Sequence, residues 1–131
     1  MKKLLFISIF SMLILILSSC TGLVSMLWNV AGLWDVLLDT DPAIVDYQAI
    51  ELNLTKTGND LTGNATVTAA GEVTNQVTGK ATSTSLYIEI VTASATITID
   101  GTMTAADEFL GTYLLETASS TYTGDCRGNK R

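Results

Sequence analysis

Histidine does not occur in this 131-residue sequence, and proline occurs once, as Pro42. Histidine is the commonest general base and the commonest metal-binding side chain, so the usual means of acid–base catalysis and metal coordination are missing. The sequence also contains no paired-cysteine motif, no phosphate-cradling glycine loop and no Gly-x-Ser-x-Gly nucleophile motif. It therefore predicts a protein that is not an enzyme, with no catalytic residue, no metal site and no cofactor.

Basic residues are also scarce. Seven lysines and arginines stand against thirteen aspartates and glutamates, which gives a formal net charge of −6. Nucleic acids and anionic lipid headgroups both carry negative charge. The balance therefore predicts no nucleic-acid partner and no electrostatic docking on a membrane.

Four aspartates lie near one another around the first predicted loop, at Asp35, Asp39, Asp41 and Asp46. Paired carboxylates can bind calcium or take part in acid–base chemistry. Their spacing does not match an EF-hand loop, and acidic residues beside a proline are typical of a solvated turn. We expect such a turn here rather than a metal site.

The one long apolar run covers residues 4–17 and follows Lys2 and Lys3. A basic start, an apolar run and the small residues Ser18 and Ser19 describe a secretory signal peptide with its cleavage site. The run is shorter than the roughly 20 apolar residues of a membrane-spanning helix. An uncleaved anchor helix is the alternative interpretation.

Leu17-Ser18-Ser19-Cys20 resembles the lipobox of bacterial lipoproteins, where a leucine and two small residues precede an acylated cysteine. The resemblance implies cleavage after residue 19 and lipidation of Cys20, so that the acyl chains make the membrane a partner. Each buried CH₂ contributes about 0.8 kcal/mol, and several acyl chains therefore give a durable anchor. In enteric-type sorting, an aspartate directly after the lipidated cysteine retains a lipoprotein at the inner membrane. Thr21 occupies that position here, which implies the outer membrane if the source is Gram-negative.

We thus expect a signal peptide over residues 1–19, a lipidated tether with a short helical segment over 20–31, and a β domain over 32–131. Removing 19 of the 131 residues would leave 112, enough for one domain. The net charge would then be near −8, because the two leader lysines are lost.

Cys126 is the only other cysteine. With Cys20 acylated it has no intramolecular disulfide partner, so we interpret it as a small buried apolar residue. An intermolecular disulfide or a reactive thiol are the alternatives.

From residue 32 onward apolar and polar residues alternate, and threonine, valine, isoleucine and tyrosine are frequent, as in β-strands. Turn signals separate eight predicted strands, at residues 32–39, 46–57, 61–69, 72–79, 84–91, 94–104, 108–117 and 120–127. Short connections favour antiparallel pairing of consecutive strands.

No helix is predicted that could cover the apolar face, so the sheet must cover itself. We predict an all-β fold: an eight-stranded antiparallel up-and-down (meander) barrel, preceded by a cleaved signal peptide and a short N-terminal helix or turn. Closure also removes exposed strand edges. A two-sheet sandwich and a small transmembrane barrel, with the apolar face outward, are the alternatives.

Alternate residues along the strands form the apolar face, including Val73 and Val77. The candidate interior-lining residues are Leu52, Ala65, Ile88, Ile97, Tyr113 and Tyr122. Glycines lie within the predicted strands at Gly63, Gly79, Gly101, Gly111 and Gly124. Glycines in such positions let a sheet bend tightly and close.

Gly32-Leu33-Trp34, at the start of the first strand, resembles the Gly-x-Trp motif of the calycin superfamily, the lipocalins and avidins. These families place an arginine of the last strand across that tryptophan, and Arg127 lies on the last predicted strand. The resemblance implies a barrel over residues 32–127, closed by a Trp34–Arg127 pair. The biotin-contacting pattern of avidins has no match.

The sequence leaves two functions open. The first is a membrane-anchored envelope lipoprotein whose barrel binds a small apolar or amphipathic ligand, because an eight-stranded barrel can enclose one small molecule. The second is a filled barrel that serves as a structural or protein-interaction module with an envelope protein partner. Short loops favour the second, since ligand-binding sites usually use longer ones.

Overall fold

The computed structural model describes residues 29–39 and 42–131. Its elements are β1 (Gly32–Leu38), a 3₁₀ helix (Pro42–Tyr47), β2 (Ala49–Thr57), β3 (Asp60–Val67), β4 (Glu72–Ala81), β5 (Ser85–Val91), β6 (Ala95–Ala105), β7 (Glu108–Thr117) and β8 (Thr121–Lys130). The predicted signal peptide, Cys20 and all of the tether except residues 29–31 lie outside the described residues.

The eight strands form one closed barrel in sequence order. Consecutive strands pair antiparallel, and β1 pairs antiparallel with β8 to close the cylinder. The predicted all-β fold and its up-and-down barrel are confirmed. The two-sheet sandwich is not what the chain adopts.

Three of the hairpins use the same threonine turn. Thr82, Thr92 and Thr117 each donate their backbone N–H to the carbonyl three residues on, at 2.8–2.9 Å. The N–H of that same third residue donates to the threonine Oγ1, at 2.9–3.1 Å. The hydroxyl thus replaces a backbone acceptor, which explains how these loops turn without glycine or proline.

Apolar side chains of all eight strands point into the barrel and form a single core. The indole of Trp34 and the ring of Phe109 pack with their centroids 5.4 Å apart. Val30, before β1, and Ile44, in the 3₁₀ helix after it, are both 1% exposed and cover opposite ends. The apolar face is therefore inside, the reverse of a transmembrane barrel.

Val73 and Val77 do not share a face as predicted. Val77 is buried, whereas Val73 is 72% exposed. The cause is a β-bulge: Gly63 pairs with Val77 but Ala65 pairs with Thr74, so β4 fits an extra residue against β3. An extra residue reverses the inward–outward alternation along the strand.

Most predicted strand boundaries agree with the structure within two residues, and two differ by three residues. Residues 46–48 were predicted to open β2, but Pro42–Tyr47 forms the 3₁₀ helix that buries Ile44. β8 was predicted to end at Arg127 and continues to Lys130. The second difference matters for the site described below.

Strand glycines lie where neighbouring backbones approach closely. A Cβ built on Gly63 would stand 1.9 Å from the carbonyl oxygen of Asn53, and one on Gly111 2.2 Å from that of Asp100. Neither position has room for a side chain, which fits the expectation that these glycines let the sheet bend tightly.

Gly128 makes room for the aromatic core. A Cβ there would stand 2.0 Å from Cε1 of Phe109, whose ring packs on Trp34. Glycine inside a strand ordinarily costs about 0.5–1 kcal/mol relative to alanine, but overpacking a core costs about 1–3 kcal/mol. We therefore predict that Gly128→Ala destabilises the barrel by about 1–2 kcal/mol in urea unfolding followed by circular dichroism.

The matched control is Asn129→Ala, on the next and exposed position of β8. A surface change of this kind is expected to stay within about 0.5 kcal/mol of the parent. Equal or higher stability of Gly128→Ala would contradict the packing role of this glycine.

Candidate functional site

The Trp34 end of the barrel is assembled around the Gly-x-Trp motif. Gly32 has φ +124°, a backbone conformation that favours glycine, and this turns the chain into β1. The indole Nε1 of Trp34 donates a 2.8 Å hydrogen bond to the carbonyl of Val30. The N–H of the buried indole thus has a hydrogen-bond partner, and the same bond holds the residues before β1 across the barrel end.

Lys130, not Arg127, is the basic residue beside Trp34. Trp34 pairs with Lys130 in the β1–β8 register, while Arg127 pairs with Leu37. The Lys130 Nζ lies 6.0 Å from the Trp34 ring centroid and donates a 2.8 Å hydrogen bond to the carbonyl of Asn29.

The predicted Trp34–Arg127 pair is therefore corrected. Inward and outward residues alternate along β8 without a register shift, so buried Cys126 and Gly128 leave Arg127 on the exposed outer face. The next inward position beyond Gly128 is Lys130, because the strand runs three residues past its predicted end.

The candidate lining residues meet inside the barrel. Leu52, Ala65, Ile88, Ile97 and Tyr113 are all buried, with exposures of 0–4%. Tyr122 is half-buried and packs against the same core. They contact other core side chains and form part of the filling of the barrel.

Aromatic rings face glycines across this interior. A Cβ on Gly124 would stand 2.9 Å from Cε1 of Tyr113, just as Gly128 faces Phe109. Small residues opposite large rings pack the core densely, as in protein interiors generally. The space beside Gly124 and Gly128 is thus taken up by the rings of Tyr113 and Phe109.

A chain of polar side chains crosses the opposite rim. The Tyr47 hydroxyl is 2.6 Å from Ser94 Oγ, which donates a 2.5 Å hydrogen bond to Glu72 Oε1. The other oxygen, Glu72 Oε2, is buried and has no partner among the described residues. The chain ties the 3₁₀ helix to the β5–β6 turn and to the start of β4.

An ionic clamp spans the outside of β8, β1 and β2. Arg131 Nε and Nη2 donate to the two Asp35 carboxylate oxygens at 2.9 and 2.6 Å, and Nη2 also donates to Glu51. The hydrogen bond from Arg131 holds the pKa of Asp35 below its usual value. The same contacts, led by that with Asp35, raise the pKa of Arg131.

Cys126 is buried and forms no disulfide within the described part of the chain. Burial, aided by the charge of neighbouring Asp125, raises the pKa of its thiol to about 11. The thiol is therefore neutral near pH 7 and a poor nucleophile. This environment agrees with the interpretation of Cys126 as a small apolar core residue.

The outer wall between β5 and β1 carries two adjoining depressions, which we call together the outer groove. The first, of about 430 Å³, is lined on the outer face by Tyr87, Thr98, Asp100, Thr112, Leu114, Thr123 and Asp125. The second, of about 420 Å³, is lined there by Leu37, Asp39, Leu110, Asp125 and Arg127. Asp125 belongs to both.

The outer groove was not predicted from the sequence. Leu37, Tyr87 and Leu110 are large apolar residues at outward positions and are 44–48% exposed. Their place on a mostly polar outer face was a detectable signal, although exposed Leu33 shares it. Sequence alternation alone does not reveal that the three lie on neighbouring parts of one wall.

A metal centre finds no support in the described part of the chain. Over residues 29–39 and 42–131 no three histidine, cysteine, aspartate or glutamate residues cluster as metal ligands would. Asp35 is engaged by Arg131, and Asp41 lies outside the described residues.

Within these same ranges, no helix has both the length and the apolar character needed to cross a membrane.

Comparison with known proteins found no protein-family model, no curated protein and no solved structure that matches this chain. The function proposed below therefore rests on the fold and on the geometry of the described residues.

We predict that Trp34 is energetically coupled to Lys130 and not to Arg127. A lysine at a tryptophan face contributes about 0.5–1 kcal/mol at a partly exposed site. A double-mutant cycle of Trp34→Phe with Lys130→Met, measured by urea unfolding, is expected to give a coupling of a few tenths to about 1 kcal/mol.

The matched cycle uses Trp34→Phe with Arg127→Met, which also removes one positive charge from β8. Its coupling is expected to be indistinguishable from zero. A larger coupling in the Arg127 cycle would contradict the observed β1–β8 register.

We predict that the Asp35–Arg131 clamp makes stability depend on pH at acidic values. Because the folded-state pKa of Asp35 is lowered, its contribution is present above the ordinary aspartate pKa of about 3.9 and is lost as pH falls through the folded-state pKa. Asp35→Asn should therefore lower the melting temperature near pH 7. The difference in melting temperature between this variant and the parent should become smaller towards pH 2.

Asp107→Asn serves as the control, since Asp107 lies in the exposed β6–β7 turn. Its difference from the parent should stay small across the same range. A constant difference for Asp35→Asn from pH 7 to pH 2 would be inconsistent with an ionic clamp.

Proposed function

We propose that the protein is a lipid-anchored bacterial envelope protein whose barrel is a structural or protein-interaction module acting through its outer surface. The observation that carries this proposal is the filled interior. The residues expected to line a ligand cavity pack on one another, and Val30 and Ile44 cover the two ends.

The packing disfavours the other function, a barrel that encloses a small apolar ligand. A ligand would need to displace buried rings such as Trp34 and Phe109, whose centroids are 5.4 Å apart. The depressions described on this barrel lie on its outer wall instead. Native mass spectrometry of the purified protein tests this directly, and a stoichiometric co-purified apolar molecule would favour the enclosed-ligand function.

The envelope location rests on the first twenty residues. The apolar run, Ser18, Ser19 and Cys20 together support signal-peptide cleavage and acylation of Cys20. Acyl chains would hold the barrel at a membrane, the outer one in a Gram-negative cell, without a spanning helix.

A kinship with calycins is likewise a proposal, supported by the meander barrel and by the Gly32–Trp34 end with its basic residue, Lys130.

We predict that Cys20→Ser abolishes metabolic labelling with palmitate in a bacterial host. The serine variant cannot form the thioether, so the uncleaved precursor or an unlipidated product should accumulate. Gel mobility and fractionation of membranes read out these species.

The control is Cys126→Ser, which changes the other cysteine, and this variant should label like the parent. Labelling that survives in Cys20→Ser, or is lost in Cys126→Ser, would refute lipidation at Cys20. Either result would overturn only the proposed localisation, because the filled interior does not depend on the lipid anchor.

A further inference from the structure

We infer that the outer groove binds a cationic, amphipathic protein segment that lays lysine or arginine side chains and apolar side chains across β5–β8. The inference rests on the proposed function, an interaction module that acts through its outer surface, and names the chemistry of its partner.

The centre of the groove is a row of side chains that crosses four strands. Tyr87 pairs with Asp100, Asp100 with Thr112, and Thr112 with Asp125 in the strand registers. Adjacent strands lie about 4.8 Å apart, so the row is about 14 Å long and the backbones at Asp100 and Asp125 lie roughly 10 Å apart. Strand pairing therefore fixes the spacing of the two charges.

Apolar side chains flank this row on both sides. Leu110 pairs with Arg127, which pairs with Leu37, in the row towards the Trp34 end. Leu114 lines the groove on the other side of the carboxylates. Tyr87, Leu110 and Leu37 are each nearly half exposed, so large apolar side chains lie beside the two carboxylates on the outer wall.

The charge of the groove selects the partner. Neither Asp100 nor Asp125 forms a salt bridge to any described residue, and Arg127 is the one basic side chain of the lining. A partner that covered the leucines would take the carboxylates out of water, which is unfavourable unless it brings opposite charges. An apolar partner without cations therefore does not fit.

The closed barrel restricts how such a segment binds. Each strand already has two hydrogen-bonded neighbours, so no partner can add as an extra strand. Recognition must use side chains. In a helix, residues seven positions apart lie on one face about 10.5 Å apart, close to the backbone separation of Asp100 and Asp125.

A second copy of this chain is a poor occupant. Each copy has a formal net charge of −6, or near −8 without the leader lysines, and pairing two outer grooves would bring like charges together. The segment is therefore expected from a protein of opposite local charge.

The test uses the full chain, expressed in bacteria and purified in a non-ionic detergent. The probe is a fluorescein-labelled 18-residue helical peptide of leucine and lysine, with lysines seven residues apart beside a leucine stripe. The control peptide carries glutamate in place of each lysine. Fluorescence anisotropy at 50 mM and 300 mM NaCl reports binding, which should weaken with salt.

The decisive variant is Asp100→Asn/Asp125→Asn, which keeps the size of both side chains. Asp46→Asn/Asp60→Asn is the matched control, since it removes the same charge from exposed positions elsewhere. We expect at least a tenfold loss of lysine-peptide affinity for the first variant and less than a twofold loss for the second. Leu110→Ser should also weaken binding, and circular dichroism checks that each variant is folded.

Three results would overturn the inference: no binding of the lysine peptide, equal binding of the glutamate peptide, or equal losses in the two aspartate variants. Equal losses would mean that peptide binding depends on the net charge of the protein and not on the outer groove. These failures are distinct from failure of the proposed function, which a ligand found inside the barrel by native mass spectrometry would bring about.

Discussion

The pairing of β1 with β8 is the constraint on which the rest of this structure depends. Eight amphipathic strands with no covering helix can bury their apolar face only if the sheet meets itself. Trp34, Val36 and Leu38 lie opposite Lys130, Gly128 and Cys126 in that pairing, so a large side chain on one strand meets a small or flexible one on the other. Closure brings all apolar faces together and puts every polar face outside.

Several features secure this seam. Lys130 reaches across the Trp34 end to the carbonyl of Asn29, and Arg131 engages Asp35 on β1 and Glu51 on β2 from outside. Gly128 leaves space for Phe109 at the centre. The last residues of β8 and Arg131, which follows it, thus contribute to closure on both faces of the wall. Closure also places Leu37 beside β8, where it lines the outer groove.

Most of the fold could be predicted because it depends on local patterns. Alternation of apolar and polar residues marks the strands, and short turns leave antiparallel neighbours as the simplest pairing. Val73 was placed on the wrong face because the bulge in β4 depends on how β3 and β4 meet, which no local pattern specifies. The 3₁₀ helix was missed because residues 46 and 47 continue a plausible β pattern, whereas burial of Ile44 is a tertiary effect.

The site was less accessible to sequence reasoning. The Gly-x-Trp motif located the correct barrel end, but the end of β8 was placed three residues early and Arg127 was chosen over Lys130. One residue separates an inward from an outward side chain, so a small boundary error exchanges a core contact for a surface one. The outer groove depends on registers between four strands and on the wall's curvature, and neither can be read from one strand at a time.

The closing pair also has a consequence for the order of folding. Seven pairings join strands that follow one another in the chain, and such hairpins form within about 1–10 μs. Only β1–β8 joins distant residues, with Trp34 and Lys130 separated by 96 positions, and it carries the largest loop-closure entropy. Until β8 pairs with β1, the other seven strands can form only an open sheet with its apolar face uncovered. The folding chain is therefore expected to be most prone to aggregation before this pairing forms.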